Sequence, residues 1–312
     1  MTKNILKILR LNQSIKHIFI FPGFILGYYI SMKSIDILSI VICLISSILI
    51  ASSNYVINEI VDKEFDKHHD LKKKRNLASG SIKTKYAYIL YFILILFGLL
   101  AASLLKNFFF FLVILIFIIS GLIYNIPPIR LKDIPIVDVV CESFNNPIRF
   151  LLGFSLFFNK ITLPSMSLLI GYWFAGAFLM NAKRLSEFLY FVSLKKENNL
   201  KKYRIVYNFY NFQNLNALSL FYACLSISML SIFITKYKIE YFLFLPFLVL
   251  IFSYYHFLSI TKFNEMQQSK NLIKMKFLLI LLFFLALLFS ILTFYNFESL
   301  NILLKKELIY SF

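Results

Sequence analysis

Residues 54–80 read NYVINEIVDKEFDKHHDLKKKRNLASG and join an apolar segment to the most basic stretch of the chain. Asn58, Asp62 and Asp66 recur every four residues, which on an α-helix places them along one face, about 6 Å apart. Amide and carboxylate oxygens stacked in this way suit a hard divalent cation such as Mg²⁺, which proteins usually share with the phosphates of a substrate. The spacing therefore predicts a metal site at these three residues. The alternative is an ordinary solvated helix end.

Composition decides between these readings because it sets the environment of the stretch. The 312 residues are 60% hydrophobic and 18% aromatic, with a mean hydropathy of +0.76. No soluble domain of this size buries so much apolar surface, so the chain is expected to be an integral membrane protein. The net charge of +18 then indicates Lys and Arg retained on the cytoplasmic side rather than a nucleic-acid partner. The ladder formed by Asn58, Asp62 and Asp66 then lies at a membrane surface. This setting favours the metal site over the solvated helix end.

Apolar segments long enough to span a bilayer predict an all-α, polytopic membrane protein with nine transmembrane helices around a cytoplasm-facing polar cavity. The predicted spans are residues 15–32, 36–60, 86–105, 108–126, 136–158, 163–182, 214–235, 241–261 and 275–295. With the N-terminus inside, the inner segments hold 25 Lys and Arg and the outer segments hold 7. This bias predicts a multi-pass protein of the inner (plasma) membrane with a cytoplasmic N-terminus and the C-terminus outside.

The predicted organisation is a single domain, residues 1–312, without a soluble appendage. Residues 1–14 are expected to form a basic surface helix. The two long cytoplasmic loops are expected at residues 63–85 and 183–204. In the first of these, His68 and His69 lack the spacing of zinc ligands and are expected to be polar loop residues.

Charged residues within or beside the spans are the next candidates, because such groups are costly in a membrane and usually mark function. Arg149 lies centrally in the fifth span, in NNPIRFLLG. It is either functional or the structural partner of Asp138 or Glu142. Asp138 itself is either a partner of a helix dipole or a second oxygen group in the cavity.

The end of the sixth span carries Lys183, Arg184 and Glu187, which can share one side of a helix. They are either snorkelling side chains with a paired Glu or a second polar wall opposite the ladder. Tyr124 and Lys132 flank a pair of prolines and are expected to reach the same cavity.

Together these features resemble the UbiA superfamily of intramembrane transferases, over the chain to about residue 210. The finer similarity is to its decaprenyl-phosphate phosphoribosyltransferase branch, whose loop signature H-P-x-K-x-x-R-P-I-A-x-G is similar to HDLKKKRNLASG at residues 69–80. Further matching positions are Arg10, Gln13, Lys16, Leu131, Lys132, Asp138, Arg149, Gly153, Lys183, Arg184 and Glu187.

The resemblance implies Mg²⁺-dependent transfer of 5-phosphoribose from phosphoribosyl pyrophosphate to a polyprenyl phosphate, in cell-envelope biosynthesis, with release of pyrophosphate. Catalytic roles then fall on Asp62, Asp66 and Arg149, and metal binding on Asn58, Asp62 and Asp66. Substrate-binding roles fall on Lys16, Lys72, Arg75, Tyr124, Lys132, Asp138, Lys183, Arg184 and Glu187. Partners are these two substrates and the lipid bilayer, and the sequence predicts no particular oligomeric state.

The chain departs from the loop signature at two positions, and there are two alternatives to the phosphoribosyltransferase function. Both prolines of the loop signature are replaced, by Asp70 and Asn76. The prenyltransferase branches resemble one another in a second aspartate ladder on the sixth span, which this chain lacks. That absence argues against a simple aromatic prenyltransferase. An intramembrane prenyltransferase that uses a prenyl diphosphate and an aromatic or other lipid acceptor is the second interpretation, because it has the same metal requirement. A transporter or flippase is the third, although its paired Gly/Pro interruptions are not evident here.

Overall fold

The computed structural model describes residues 8–267 and 275–297, without the side chains of residues 11–15. All regular secondary structure within these ranges is helical. The α-helices are α1 (Phe21–Ser31), α2 (Ile37–Val61), α3 (Lys63–Asp66), α4 (Thr84–Leu104), α5 (Phe108–Asn125), α6 (Val137–Ser143), α7 (Asn145–Ser155), α8 (Met166–Ser193), α9 (Glu197–Tyr203), α10 (Phe212–Tyr237), α11 (Leu245–Thr261), α12 (Phe263–Met266) and α13 (Lys276–Phe294). The 3₁₀ helices are Leu11–Ile20, Lys72–Lys74, Leu131–Asp133, Ile205–Asn208 and Ile239–Phe244.

Six helical segments of the described chain are long and apolar enough to cross a membrane. They are Ile37–Val61, Thr84–Leu104, Phe108–Asn125, Phe212–Tyr237, Ile239–Thr261 and Lys276–Phe294. Each coincides with a predicted span, so the multi-pass, all-helical class is confirmed. The half of the predicted surface helix before residue 8, part of the inner segment 262–276 and the C-terminus lie outside the described residues.

The other three predicted spans differ from single apolar helices. The segment 15–32 starts as a 3₁₀ helix and becomes α1 only at Phe21. The segment 136–158 divides into α6 and α7 at Phe144, because Pro147 has no N–H to donate to the carbonyl of Ser143. The segment 163–182 lies in α8, which continues to Ser193 into the range predicted as a loop. The nine-span architecture stays a prediction.

Close packing of α1 against α7 fixes the position of Arg149. A Cβ atom at Gly23 would collide with the carbonyl oxygen of Phe150, and one at Gly153 would collide with that of Ile20. The two backbones can approach only because these residues are glycines. Gly153, one of the positions that match the family, therefore has a structural role. It allows the close packing that positions α7, the helix that carries Arg149.

Apolar packing elsewhere pairs long helices and leaves their polar ends together. Helix α10 lies along α8, and α4 lies along α2. Ile8, at the start of the described chain, is fully buried in an apolar cluster with Val56 and Ala87. Lys72, in the segment that follows α3, contacts Glu187 of α8 at 2.7 Å, and the candidate site lies there.

Candidate active site

The predicted ladder residues Asn58, Asp62 and Asp66 lie on a nearly continuous helix. Asp62 ends α2 and begins α3. Its backbone N–H donates to the carbonyl of Asn58 at 3.0 Å, and the N–H of Asp66 donates to the carbonyl of Asp62 at 2.8 Å. These i to i+4 bonds keep the three residues on one helix face, as the spacing predicts.

Cations of the protein itself hold the central carboxylate. Oδ1 of Asp62 accepts from Nζ of Lys132 and, at 3.1 Å, from Nη2 of Arg130. Burial alone would raise the pKa of Asp62, but Lys132 and Arg130 outweigh it and hold that pKa below its ordinary value. Asn58 donates to Oδ1 of Asn125 at 2.6 Å. The ladder thus carries an ionised Asp62 and places Lys132 directly at the site.

Asp66 provides the test of whether these residues fit a metal ion. Its Oδ2 accepts from Arg75 at 2.7 Å, while its Oδ1 is buried and has no hydrogen-bonding partner among the residues that the structure describes. Burial raises the pKa of Asp66 in spite of Arg75. In residues 8–267 and 275–297, no three His, Cys, Asp or Glu side chains form a metal-binding group. The ladder with one open carboxylate oxygen therefore fits a cation that takes one or two protein carboxylates and completes its shell with phosphate and water, rather than an all-protein metal cage.

The cations of the basic loop, residues 63–85, have different surroundings: some contact other side chains and others are exposed. Nζ of Lys72 lies 2.7 Å from Oε1 of Glu187 and also contacts the hydroxyl of Tyr203. Lys73 and Lys74 are exposed. The loop after the ladder is therefore tied to α8 through Lys72, so the two predicted polar walls do meet.

His69 lies in the loop, as predicted, but its side chain is buried, with 1% of its surface exposed. Its ring packs against the aromatic rings of Tyr190, Phe191 and Tyr203. Its Nδ1 accepts from the N–H of Leu71 at 3.2 Å, which places the proton of the neutral ring on Nε2. Burial, reinforced by Lys72, lowers the pKa of His69 to about 4.

Arg184 forms the densest ion-pair cluster of the site. Its guanidinium donates to Asp138 at 3.0 Å, to Glu142 at 2.7 Å and to the hydroxyl of Tyr124 at 3.3 Å. Tyr124 also donates to Glu142 at 2.8 Å. Asp138, Arg184 and Tyr124 thus come together as predicted candidates, but Arg184 is already bound by two carboxylates.

Three predicted cations are left without an acidic partner. Lys16, Arg149 and Lys183 form no ion pair with any described residue. By contrast, Asp62, Asp66, Asp138, Glu142 and Glu187 are each paired. The site therefore has an excess of positive charge, which suits a polyanionic ligand.

Arg149 is the most buried of these three cations, with 5% of its surface exposed. It donates to the carbonyl of Asn145 at 3.3 Å, and within the described part of the chain its Nε has no partner. The pairing with Asp138 or Glu142 considered from the sequence does not form. A buried guanidinium with a spare donor is costly unless a ligand completes its bonding.

Several site residues were not predicted from the sequence. Tyr207 donates to Glu187 at 2.8 Å, and Tyr210 donates to Asp138 at 2.5 Å. Arg130 shares Asp62 with Lys132. The sequence signal for Arg130 was its place beside Lys132. For the two tyrosines there was none, since the chain contains 19 tyrosines.

Comparison with known proteins identifies the family. Residues 19–280 match the UbiA prenyltransferase family, which is most of the chain. No curated protein matches the sequence.

Solved structures share the fold. A UbiA homologue from Archaeoglobus fulgidus bound to GPP and Mg²⁺ has a TM-score of 0.69 at 20% identity, covering 93% of this chain and 98% of that one. A structure described under digeranylgeranylglyceryl phosphate synthase has a TM-score of 0.60 at 18% identity, covering 94% and 98%. The apo UbiA homologue from Aeropyrum pernix K1 has a TM-score of 0.59 at 12% identity, covering 82% and 94%.

The family match spans both the ladder and the cation-bearing end of α8, and the fold agrees over nearly the whole chain. The protein is therefore a multi-pass membrane transferase that belongs to the UbiA prenyltransferase family.

Proposed function

We propose that this member of the family transfers 5-phosphoribose from phosphoribosyl pyrophosphate to a polyprenyl phosphate. One observation supports this reading above the others. The end of α8 carries two cations and one carboxylate, Lys183, Arg184 and Glu187, where the prenyltransferase branches have a second aspartate ladder. Of these three, Arg184 is held by Asp138 and Glu142, so Lys183 is the cation that can bind phosphate oxygens directly, whereas a carboxylate ladder needs a bridging metal.

The donor diphosphate is assigned to the ladder. Asn58, Asp62 and Asp66 would hold Mg²⁺, with the open Oδ1 of Asp66 as a ligand. When bound, the ion would neutralise the diphosphate and stabilise the charge that develops as it departs. Lys132 keeps Asp62 ionised.

The donor's second anionic group, its 5-phosphate, is assigned to Lys183 of α8 and to Lys72 of the basic loop, which contacts α8 through Glu187. Nζ of Lys183 has no hydrogen-bonding partner among the described residues, and the charges of Lys16 and Lys72 act on it. A phosphate monoester placed there would relieve this repulsion. Arg184 holds Asp138 and Glu142 and so positions the wall.

The lipid phosphate is assigned to Lys16 and Arg149. Nζ of Lys16 lies 5.9 Å from the ring centroid of Tyr55, and Arg149 has a spare donor. An oxygen of the lipid phosphate would attack C1 of the ribose while the bond from C1 to the diphosphate oxygen breaks. The nucleophile is already anionic, so no protein base has to remove a proton.

Prenyl transfer from a prenyl diphosphate is the second candidate. The solved homologue from Archaeoglobus fulgidus was bound to GPP in one structure and to DMAPP in another, with Mg²⁺ in both. The ladder serves either donor, so only the wall at the end of α8 separates the two reactions.

Pyrophosphate release by the purified protein tests the proposal. With Mg²⁺ and a polyprenyl phosphate, phosphoribosyl pyrophosphate should release pyrophosphate, and the lipid product should gain the mass of one phosphoribosyl group. Release from a prenyl diphosphate alone would overturn the proposal in favour of the second candidate.

A further inference from the structure

Arg204 connects α9 to the 3₁₀ helix Ile205–Asn208 and turns its side chain into the protein. Its N–H donates to the carbonyl of Leu200 at 2.9 Å, which fixes the backbone at the end of α9. Only 10% of its side chain is exposed. The residue is therefore held firmly while its guanidinium is buried.

This guanidinium is almost unbonded. It forms no side-chain hydrogen bond with any residue in the described ranges, and Nη1 is buried without a partner. Its nearest acidic contact is Oδ2 of Asp138 at 3.5 Å. Asp138 also accepts from Arg184 and from Tyr210, and its contact with Arg204 is an ion pair without a hydrogen bond.

The Arg204 guanidinium lies beside residues of the candidate site. The guanidinium carbon is 5.8 Å from the ring centroid of Tyr203, and the charge of Glu187 on α8 acts on it. In turn, its own charge acts on Asp62 and Lys132 at the ladder. Arg204 thus lies beside Asp138 and Tyr203, and the hydroxyl of Tyr203 contacts Lys72 in the loop that follows Asp66.

A buried guanidinium with five potential N–H donors is costly unless those donors are satisfied. Its planar fork matches two oxygens of a phosphate. We propose that Arg204 is a direct ligand of the diphosphate group of the substrate. This inference rests on the proposed function only for a diphosphate donor, which phosphoribosyl and prenyl donors share.

Binding of inorganic pyrophosphate to the full-length protein, in detergent with Mg²⁺, provides the test. Titration calorimetry would compare wild type with Arg204→Gln, Arg204→Lys and the control Lys202→Gln, which changes an exposed cation of the same helix α9. Arg204→Gln should weaken binding at least about tenfold, as expected for a hydrogen bond to a charged group. Arg204→Lys should lose less because it keeps the charge without the fork, and Lys202→Gln should bind as wild type does.

The melting temperature without pyrophosphate separates binding from structure. It should be nearly unchanged in Arg204→Lys, which keeps a cation beside Asp138, whereas Arg204→Gln removes that ion pair and should melt at a lower temperature. If both Arg204→Lys and Arg204→Gln bind pyrophosphate within about twofold of the wild-type affinity, the inference is overturned. It is also overturned if Arg204→Lys binds more weakly but has a lower melting temperature without pyrophosphate, because the loss would then be structural. Failure of the wild type to consume phosphoribosyl pyrophosphate would overturn the proposed function and leave this inference standing.

Discussion

Nε2 of His69 lies 3.4 Å from Oε1 of Glu187, and both side chains are almost completely buried. The contact joins the loop after the ladder to α8, 118 positions further along the chain by residue number. Since burial and Lys72 outweigh the attraction of Glu187, the imidazole stays neutral, with a pKa of about 4. The loop therefore closes on the site through an uncharged ring.

This neutral imidazole predicts a loss of stability in mild acid. Between pH 6.5 and about 4, the unfolded chain binds a proton at His69 that the folded protein does not bind. The free energy of unfolding should therefore fall as the pH drops through this window, by on the order of 1–3 kcal/mol for this group. The measurement is the melting temperature of the purified protein at about pH 7.5 and about pH 5.0, which lie on either side of the ordinary pKa of His.

A matched pair of variants isolates the contribution of His69. In His69→Gln the difference between the two melting temperatures should shrink, because the amide does not titrate. His68→Gln changes the exposed neighbour and should keep the wild-type difference. An unchanged difference in His69→Gln would rule out this origin of the acid sensitivity.

Asp62→Asn should remove most activity. The amide keeps an acceptor for Lys132 but loses the charge that binds a cation, so turnover should drop at least about a hundredfold, as when one electrostatic contact with a departing group is lost. The control is Glu64→Gln, an exposed residue paired only with Lys67. Near wild-type turnover in folded Asp62→Asn would show that the ladder is only a helix end.

Neighbouring cations on α8 should behave differently. Lys183→Ala should raise the KM for the donor about tenfold with little change in melting temperature, because Lys183 has no ion pair among the described residues. Arg184→Ala should destabilise the protein by about 3–5 kcal/mol, because Asp138 and Glu142 would lose the buried guanidinium that bridges them. Kinetics and thermal unfolding of both variants provide the check. Equal effects of the two on stability and KM would contradict these separate roles.

The charge bias predicts that residues 63–85 face the cytoplasm. In a variant that lacks Cys43, Cys141 and Cys224, a cysteine introduced by Ser79→Cys should be protected from an impermeant thiol reagent in intact cells. A cysteine introduced by Asn159→Cys, in a predicted outer connection, should react. The opposite labelling pattern would invert the predicted topology.

Hydropathy predicted the uninterrupted spans well because their boundaries are local. The predicted span 108–126 corresponds to Phe108–Asn125, and Asn107 caps this helix by accepting from the N–H of Phe110 at 2.9 Å. Averaged hydropathy could not show the division at Phe144, since that break depends on one missing N–H at Pro147. The extension of α8 to Ser193 was also missed, because polar residues there are buried by tertiary contacts.

The site was predictable where the spacing of residues carries the geometry. A four-residue repeat placed Asn58, Asp62 and Asp66 on one helix face. Arg130 and Arg204 were not recognised, because they were two of 25 inner Lys and Arg residues. Which of many basic loop residues folds inward depends on how α9 packs against the site, and the sequence alone does not show this.

Transfer of radiolabel from the donor into the lipid phase is the most direct test of the proposed reaction. Membranes that contain the protein would receive a polyprenyl phosphate and Mg²⁺, with phosphoribosyl pyrophosphate labelled in the ribose or with a labelled prenyl diphosphate and an aromatic acceptor. Membranes with Asp62→Asn would serve as the blank. We predict that ribose label enters the lipid phase only with the wild-type protein and that prenyl label is not transferred. Transfer of prenyl label without transfer of ribose label would contradict the proposed function.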